Sequence, residues 1–373
     1  MRRRLWWALV IFDSRISQLA DFKTQMLTPT WDCNIPLNVN DTDLRPEMKE
    51  PPIALEKPTE AIRVVALSAL ADFARNSTFL LGFNAPLLKP LARKSQGGVL
   101  SEMDELQEME NSLENNYLKF CSLENPIQCL TIWETRSYLA KNRLMLSYAN
   151  TSANPNGPGS EAQVDTGVSY ALRLLECNTN IMTSPLTRPY QWMAPYNFPF
   201  PAYIHLAKYL KQHPLSEDAS IAWEVMSDNC AARFTTDFQK HGPFFEMFAK
   251  LIFHAWEPRE MAAAQSNIPA TVPRIILKLR EIIQQNAQDS IDSGNPNSFA
   301  FEEGEGIFPT PPTELYEGHD SAQTFTGEDP DMLGSGVFYN MQFDPNHIDW
   351  AGMDWNLDAS FNGATDAVKT NYY

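Results

Sequence analysis

Histidine and cysteine give this sequence its most versatile chemistry, and their spacing is the first thing to weigh. Cys33, Cys121, Cys129, Cys177 and Cys230 are odd in number, widely separated and never arranged as CxxC. That pattern argues against a disulfide framework and against a structural zinc site, and it suits a reducing compartment. The expectation is that they act as small, mostly buried apolar side chains. His205 and His213 stand eight residues apart, two turns on a helix, whereas ligation within one helix uses a spacing near four. A solvated or capping role is expected for both. The sequence contains no GxSxG elbow, no phosphate loop ending in a Gly-Lys-Ser or Gly-Lys-Thr step, and no HExxH. Gly304-Glu305-Gly306 lacks the strand and helix of a dinucleotide site, and Glu305 would repel a pyrophosphate. Gly334-Ser335-Gly336 has no histidine close by in sequence. Carboxylate pairs such as Glu302-Glu303 are too common here to inform. The chain is therefore expected not to be an enzyme. Tyr190, Trp192, Tyr196, Phe198, Phe200 and Tyr203 crowd a proline-rich stretch; they read either as a packed corner between helices or as the wall of a pocket for a small apolar effector.

The elements that position these residues read as helices. Apolar residues recur at spacings of three and four from residue 2 to about 26, where Leu5, Leu9, Phe12, Ile16, Leu19 and Phe22 share a face. Trp6, Trp7, Val10 and Ile11 make the start apolar nearly all round, which predicts burial on several sides. Arg2, Arg3 and Arg4 sit at the positive end of that helix's dipole with no N-cap before them. The helix reads as cut rather than started, and Met1 is expected to be an internal methionine. The apolar run 5–12 is too short to span a membrane, ends at Asp13 and has no cleavage site closely after it. A polar, proline-containing stretch at 27–58 is long for a structureless loop and predicts packed irregular structure. Further helices are predicted over 59–81, 101–123, 126–148, 161–182, 200–212, 216–238, 244–264 and 272–287, with Thr59, Ser101 and Pro126 as start signals. A flexible connector is expected at 151–160. Strand signals are sparse, so the fold class is all-α, helices packed on helices.

After residue 287 the composition changes. Residues 288–373 hold sixteen Asp and Glu against one Lys, a net charge of −15 of the whole chain's −17. The body is nearly neutral and the tail strongly acidic. Thirteen aromatic residues are interleaved with those acids. A segment so charged cannot bury enough apolar area to offset its conformational entropy, about 1–2 kcal/mol per residue. The division expected is a helical body over 1–287 and a largely disordered acidic, aromatic tail over 288–373, the composition of an amphipathic activation region. Phe338, Phe343, Trp350 and Trp355 are its candidate anchors. No basic patch offers the phosphate contacts that dominate nucleic-acid affinity.

Three segments carry a resemblance to a known family. Met1-Arg2-Arg3-Arg4-Leu5-Trp6-Trp7, with Asp13 following, resembles the R-R-x-W-W signature of the fungal-specific transcription factor domain, the middle homology region of fungal binuclear zinc-cluster regulators. Pro36-Leu37-Asn38-Val39-Asn40-Asp41-Thr42-Asp43 is similar to the loop that follows it, and 199–234 to a later part of the same domain. The signature positions are Arg3, Arg4, Trp6, Trp7, Asp13, Pro36, Asn40, Asp41 and Asp43. The resemblance covers roughly residues 1–260, and the first part of the region is missing.

The resemblance implies an all-helical domain, a nuclear location and a role in RNA polymerase II transcription, in some members of specialised metabolism or nutrient use. It implies transcriptional coactivators as partners, and a homo- or heterodimer with zinc-cluster regulators. Members usually carry a six-cysteine zinc cluster that binds DNA. This sequence has none, so zinc is expected only in that absent domain, no cofactor in this chain, and no specific DNA binding by the chain alone. The leading expectation is a transcription regulator or a fragment of one. The alternative is a regulatory or scaffolding protein that does not bind DNA and acts through a partner transcription factor.

Overall fold

A computed structural model describes residues 1–20, 32–77, 98–153, 160–234, 243–266 and 271–292. Among them are nine α-helices: α1 (Arg2–Ala20), α2 (Ile62–Asn76), α3 (Gly98–Asn116), α4 (Pro126–Ala153), α5 (Ser160–Thr183), α6 (Phe200–Gln212), α7 (Glu217–Arg233), α8 (Pro243–Ser266) and α9 (Arg274–Asp292). Short 3-10 turns occupy Asp41–Asp43 and Leu118–Phe120, and a longer one runs over Pro185–Asn197. The described residues contain no strand, and the fold class is all-α.

The long helices α4 and α5 form the most extensive contact of the fold. On α5, Val168, Ala171, Leu174, Leu175 and Asn178 are buried at helical spacing, and α4 offers Leu130, Leu139, Leu144 and Leu146. Helices α2 and α3 pack on α4, each fastened by paired hydrogen bonds. Arg63 of α2 donates to both oxygens of Glu134 at 2.6 and 3.0 Å. Arg136 of α4 grips Glu114 of α3 at 2.7 and 3.0 Å, and Arg143 reaches Glu110 and, at 2.7 Å, Gln107. Such planar two-point contacts set angle as well as distance. On the far side, α6 and α7 pack on α5, and α8 packs on α6. The inward stripe of α8 is Phe245, Phe248, Ala249, Ile252, Ala255 and Trp256. Pro258 stands inside that helix, where its missing N–H leaves the His254 carbonyl without an intrahelical donor.

Helix ends differ from expectation in instructive ways. Helix α3 begins at Gly98, so Ser101 lies within it and is not its cap. Thr59 precedes α2, accepting from the Ala61 N–H through its hydroxyl at 3.1 Å while its carbonyl accepts from Ile62. Helix α4 runs on to Ala153, into the expected connector. Ser216 caps α7, accepting from the Ala219 N–H at 3.1 Å, with Glu217 and Asp218 in the first turn, a charge placement the helix dipole favours. Helix α9 runs past the expected end at 287 to Asp292.

The chain divides after Arg280, within α9. The first unit, Met1–Arg280 with Pro345–Tyr373, holds the elements above as far as Arg280; Arg274 pairs there with Asp228 at 3.0 Å and the Ile275 N–H donates to Ser227 at 3.1 Å. Of the second unit, 281–292 is described, with Gln285 donating to Glu281 one turn earlier. The expected disordered tail beyond 292, with Phe338, Phe343, Trp350 and Trp355, lies outside the described residues, as do the helix ends expected at 26, 81 and 238.

Candidate functional site

The residues with the most specific pattern in the sequence meet at one place, where α1 is clasped to the start of α2. Over residues 1–14, whose side chains are described, α1 buries one side. Trp7 is fully buried and Val10 nearly so, while Leu5, Leu9 and Phe12 are exposed. Burial on several sides, expected from the all-round apolar start, is not what the fold does: the 3-to-4 spacing of Leu5, Leu9 and Phe12 marks the outer face. Trp7 donates its indole N–H to the Asn34 carbonyl at 3.1 Å, and the Arg75 guanidinium of α2 stacks over its ring at 5.4 Å. Three residues earlier on the same side, Arg4 donates to the Val39 carbonyl at 2.6 Å and pairs with Asp41.

The segment they hold is irregular but closed by hydrogen bonds. Asn38 is its centre, 2% exposed. Its amide donates to the carbonyls of Leu55 (2.6 Å) and Lys57 (2.9 Å), its oxygen accepts from the Thr59 hydroxyl (2.6 Å), and its own carbonyl accepts from the Leu55 N–H. These contacts imitate a strand edge with one side chain. Asn40 and Asp43 bracket the 3-10 turn, the Asn40 N–H donating to the Asp43 carboxylate at 3.0 Å. Glu60 accepts from the Asp41 N–H at 3.0 Å, and its own N–H donates to the Asn40 side chain at 3.3 Å.

The structure thus unites Arg4, Trp7, Asn40, Asp41 and Asp43, with Pro36 buried beneath them. Arg3 is exposed, and Trp6 and Asp13 are half-buried on α1. Asn34, Thr59, Glu60 and Arg75 belong to the clasp but carry no signature by sequence. Asn34 acts through its backbone and the other three bridge segments distant in sequence, and no spacing rule finds such contacts. Asn38 was visible only as part of the loop; an uncharged amide flanked by apolar residues was the available signal.

A second polar cluster lies between α5, α6 and α7. Arg233 is buried and donates to Asn178 at 2.6 Å and to the Asn197 carbonyl at 2.8 Å, with its guanidinium 4.9 Å from the Phe198 ring centre. Asn229 donates to Asn178 and Thr179 at 3.0 Å and accepts from Tyr203 at 2.9 Å. Burial lowers the Arg233 guanidinium to about 10, still charged at neutral pH. Phe198, Phe200 and Tyr203 pack there against Phe234, Phe244 and Phe248, the packed-corner arrangement, whereas Trp192 points outward, 65% exposed.

The groups open to acid–base chemistry are muted by burial. His205 is not solvated, contrary to expectation: α6 turns it inward, its Nδ1 2.7 Å from the Tyr148 hydroxyl and its Nε2 against Gly167. Burial, helped by the charge of Lys208, lowers it to about 4, so it is neutral. His213 caps the end of α6, its N–H donating to the Tyr209 carbonyl at 2.8 Å. Cys129, Cys177 and Cys230 are buried and Cys33 and Cys121 half-buried. Burial raises the thiols of Cys177 and Cys121 to about 11 and that of Cys230 to about 12, which suppresses the nucleophilic thiolate. No group of three or more His, Cys, Asp or Glu among the described residues is placed to hold a metal ion, and none of the described helices is long and apolar enough to cross a membrane.

The described body is helical and is held by polar clusters at the start of α2 and between α5, α6 and α7. Comparison with known proteins gives this fold its context. The chain is 45% identical over 297 residues to the transcriptional regulator AacuB of Aspergillus aculeatus, covering 79% of this chain and 40% of that protein. It is 36% identical over 371 residues to the transcriptional regulator nsrM of Aspergillus novofumigatus, covering 96% of this chain and 49% of that protein. It is 23% identical over 288 residues to an aurofusarin cluster transcription factor of Gibberella zeae, covering 77% of this chain and 42% of that protein. The chain is therefore related to fungal transcription regulators, and it spans half or less of the length of these relatives. No family model matches the chain, and no solved structure matches it.

Proposed function

We propose that the chain serves as the helical regulatory body, with an acidic activation tail, of a nuclear regulator of RNA polymerase II transcription. The observation that carries this reading is 45% identity to a named transcriptional regulator across 79% of the chain. The names of two relatives, transcription factors of an aurofusarin cluster and of a pyriculol biosynthesis cluster, support a specialised-metabolite gene set as its target. In this reading residues 1–287 hold regulatory and interdomain contacts. Residues 288–373 recruit coactivators by folding on contact, with Phe338, Phe343, Trp350 and Trp355 as anchors and the acids speeding encounter. The alignment to nsrM covers 96% of this chain, too much to leave the tail out. Similarity across an acidic, aromatic segment supports a function for it. The direct test fuses residues 288–373 to a foreign DNA-binding domain before a reporter gene. Activation is expected, together with its loss when the four anchors are changed to Ala; a silent fusion would refute the tail's role.

A second reading rests on the cysteines. With five, and no CxxC among them, this sequence contains no six-cysteine zinc cluster. In this second reading these residues act at DNA through a partner transcription factor, as a heterodimer with a zinc-cluster regulator. Co-purification of the full chain from nuclear extract with a DNA-binding regulator supports this second reading; recovery of the chain without one opposes it.

A further inference from the structure

The junction between α5 and the 3-10 segment Pro185–Asn197 carries a hydroxyl that the fold does not use as a cap. Ser184 stands at the N-cap of that segment, yet its side chain makes no capping hydrogen bond, where an N-cap serine ordinarily does. Its neighbours hold the junction instead. Thr187 donates its hydroxyl to the Ser184 carbonyl at 2.9 Å, and Gln191 donates to the Ile181 and Met182 carbonyls at 3.2 and 2.7 Å. Ser184 is half-buried between exposed Thr183 and exposed Pro185. Its backbone is extended, with φ −69° and ψ 126°, the conformation that a following proline imposes.

Ser184-Pro185 is the single Ser-Pro or Thr-Pro step among the described residues. Proline there fixes φ and removes an N–H donor, which is the feature a proline-directed protein kinase reads after its target hydroxyl. The surroundings suit a phosphate. No Asp or Glu occurs between residues 177 and 216. Arg188, four residues on, is exposed and forms no ion pair among the described residues, whereas Arg63, Arg136 and Arg143 are each engaged with a carboxylate.

We propose that Ser184 is a phosphorylation site for a proline-directed protein kinase, and that Arg188 pairs with the phosphate it acquires. Ser184 Oγ attacks the γ-phosphorus of ATP. The bond from that phosphorus to the oxygen it shares with the β-phosphate breaks, ADP leaves, and the hydroxyl proton passes to the carboxylate base of the kinase. The product carries about −1.5 to −2 charge at neutral pH and three acceptor oxygens, which the planar guanidinium fork of an arginine matches. Access requires only the last turn of α5 to open, and helix ends are the least protected part of a helical backbone. The site stands whether or not the chain regulates transcription, and its test does not read transcription.

Incubating the full 373-residue chain with ATP and a mitogen-activated protein kinase, and mapping the product by peptide mass spectrometry, tests it. A free peptide of residues 178–191 shows whether the kinase accepts the sequence. Phosphate is expected on Ser184 of the folded chain as well as on the peptide, and its signal should disappear in Ser184→Ala. Phosphorus NMR then reads the pairing. The second ionisation of the phosphate, ordinarily near pH 6, should lie higher in Arg188→Ala than in the unaltered chain by about 0.5 pH units or more, because losing a nearby cation disfavours the dianion. Arg188 is exposed, so its removal leaves the body folded. Three results overturn the proposal: a peptide that the kinase ignores, a peptide that is modified while Ser184 of the chain is not, or a phosphate titration that Arg188→Ala leaves unmoved.

Discussion

Asn38 and His205 show how single buried polar groups set the body's tolerance to change. Asn38 satisfies two carbonyls and one hydroxyl inside the clasp. Asn38→Ala leaves those groups buried and unpaired, at about 1–3 kcal/mol for each group that water cannot reach. A loss of about 2–4 kcal/mol in urea unfolding of the full chain is expected. Asn34→Ala is the control: only its carbonyl takes part, so the change should stay within about 0.5 kcal/mol. His205 makes stability depend on pH. Its folded value of about 4 lies below the ordinary 6.5, so the unfolded chain binds the proton more readily. The neutral ring is fully tolerated above pH 6.5. Stability then falls as pH drops from 6.5 towards 4, by about 3 kcal/mol in total. His205→Gln should flatten that part of the pH profile in thermal unfolding; an unchanged slope would show that other groups carry it. Gly167 belongs to the same contact, because a Cβ there would stand 2.7 Å from His205 Nε2. Gly to Ala within a helix ordinarily stabilises by about 0.5–1 kcal/mol. At Gly167 the clash reverses the sign, to a loss of about 1–3 kcal/mol. Combining Gly167→Ala with His205→Ala should recover part of that loss relative to the sum of the single changes, which a double-mutant cycle measures.

At the scale of elements, legibility followed the strength of local signals. Phe200–Gln212 stands where its periodicity placed it, because it is amphipathic and bounded by Pro199 and Pro214. Ser216 caps α7 as an oxygen before an acidic first turn should; Ser216→Ala should cost about 1 kcal/mol in denaturant unfolding. The start of α3 was hidden, since Gly97-Gly98 reads as connector, yet α3 begins at Gly98. A buried carboxylate fixes its first turns: the Ser77 hydroxyl donates to Glu102, and no local rule sees across that separation. The orientation of α1 was hidden for a different reason. A helix apolar nearly all round has no single direction of greatest hydrophobicity, so periodicity showed that a face exists but not which face is buried. What turned Trp7 and Val10 inward was the clasp, through Asn34, Val39 and Asp41. The signature residues were legible as a pattern. That Arg4, Trp7, Asn40, Asp41 and Asp43 hold an irregular segment between two helices needed the fold.

For the whole molecule the deciding quantity is charge and where it sits. The chain carries 29 Lys and Arg against 46 Asp and Glu, and all but two of its net negative charges fall in 288–373. In the body, Arg4, Arg63, Arg136 and Arg143 are engaged with carboxylates of the same chain. Specific DNA binding draws much of its strength from cations that displace counterions from phosphate, and affinity then falls steeply with salt. This chain would bring a net charge of −17 to a polyanion, with those four arginines already paired. Long-range repulsion slows encounter further at low ionic strength, where screening is weakest. The full chain alone should therefore fail to shift fluorescence anisotropy of duplex DNA at micromolar protein, and lowering the salt should not rescue binding. The same titration with a co-purified DNA-binding regulator should give binding whose salt slope belongs to that partner. Submicromolar affinity of the chain alone, with a slope of several counterions, would locate a cationic surface in residues outside those described and would overturn a division of labour in which this chain regulates and another reads DNA.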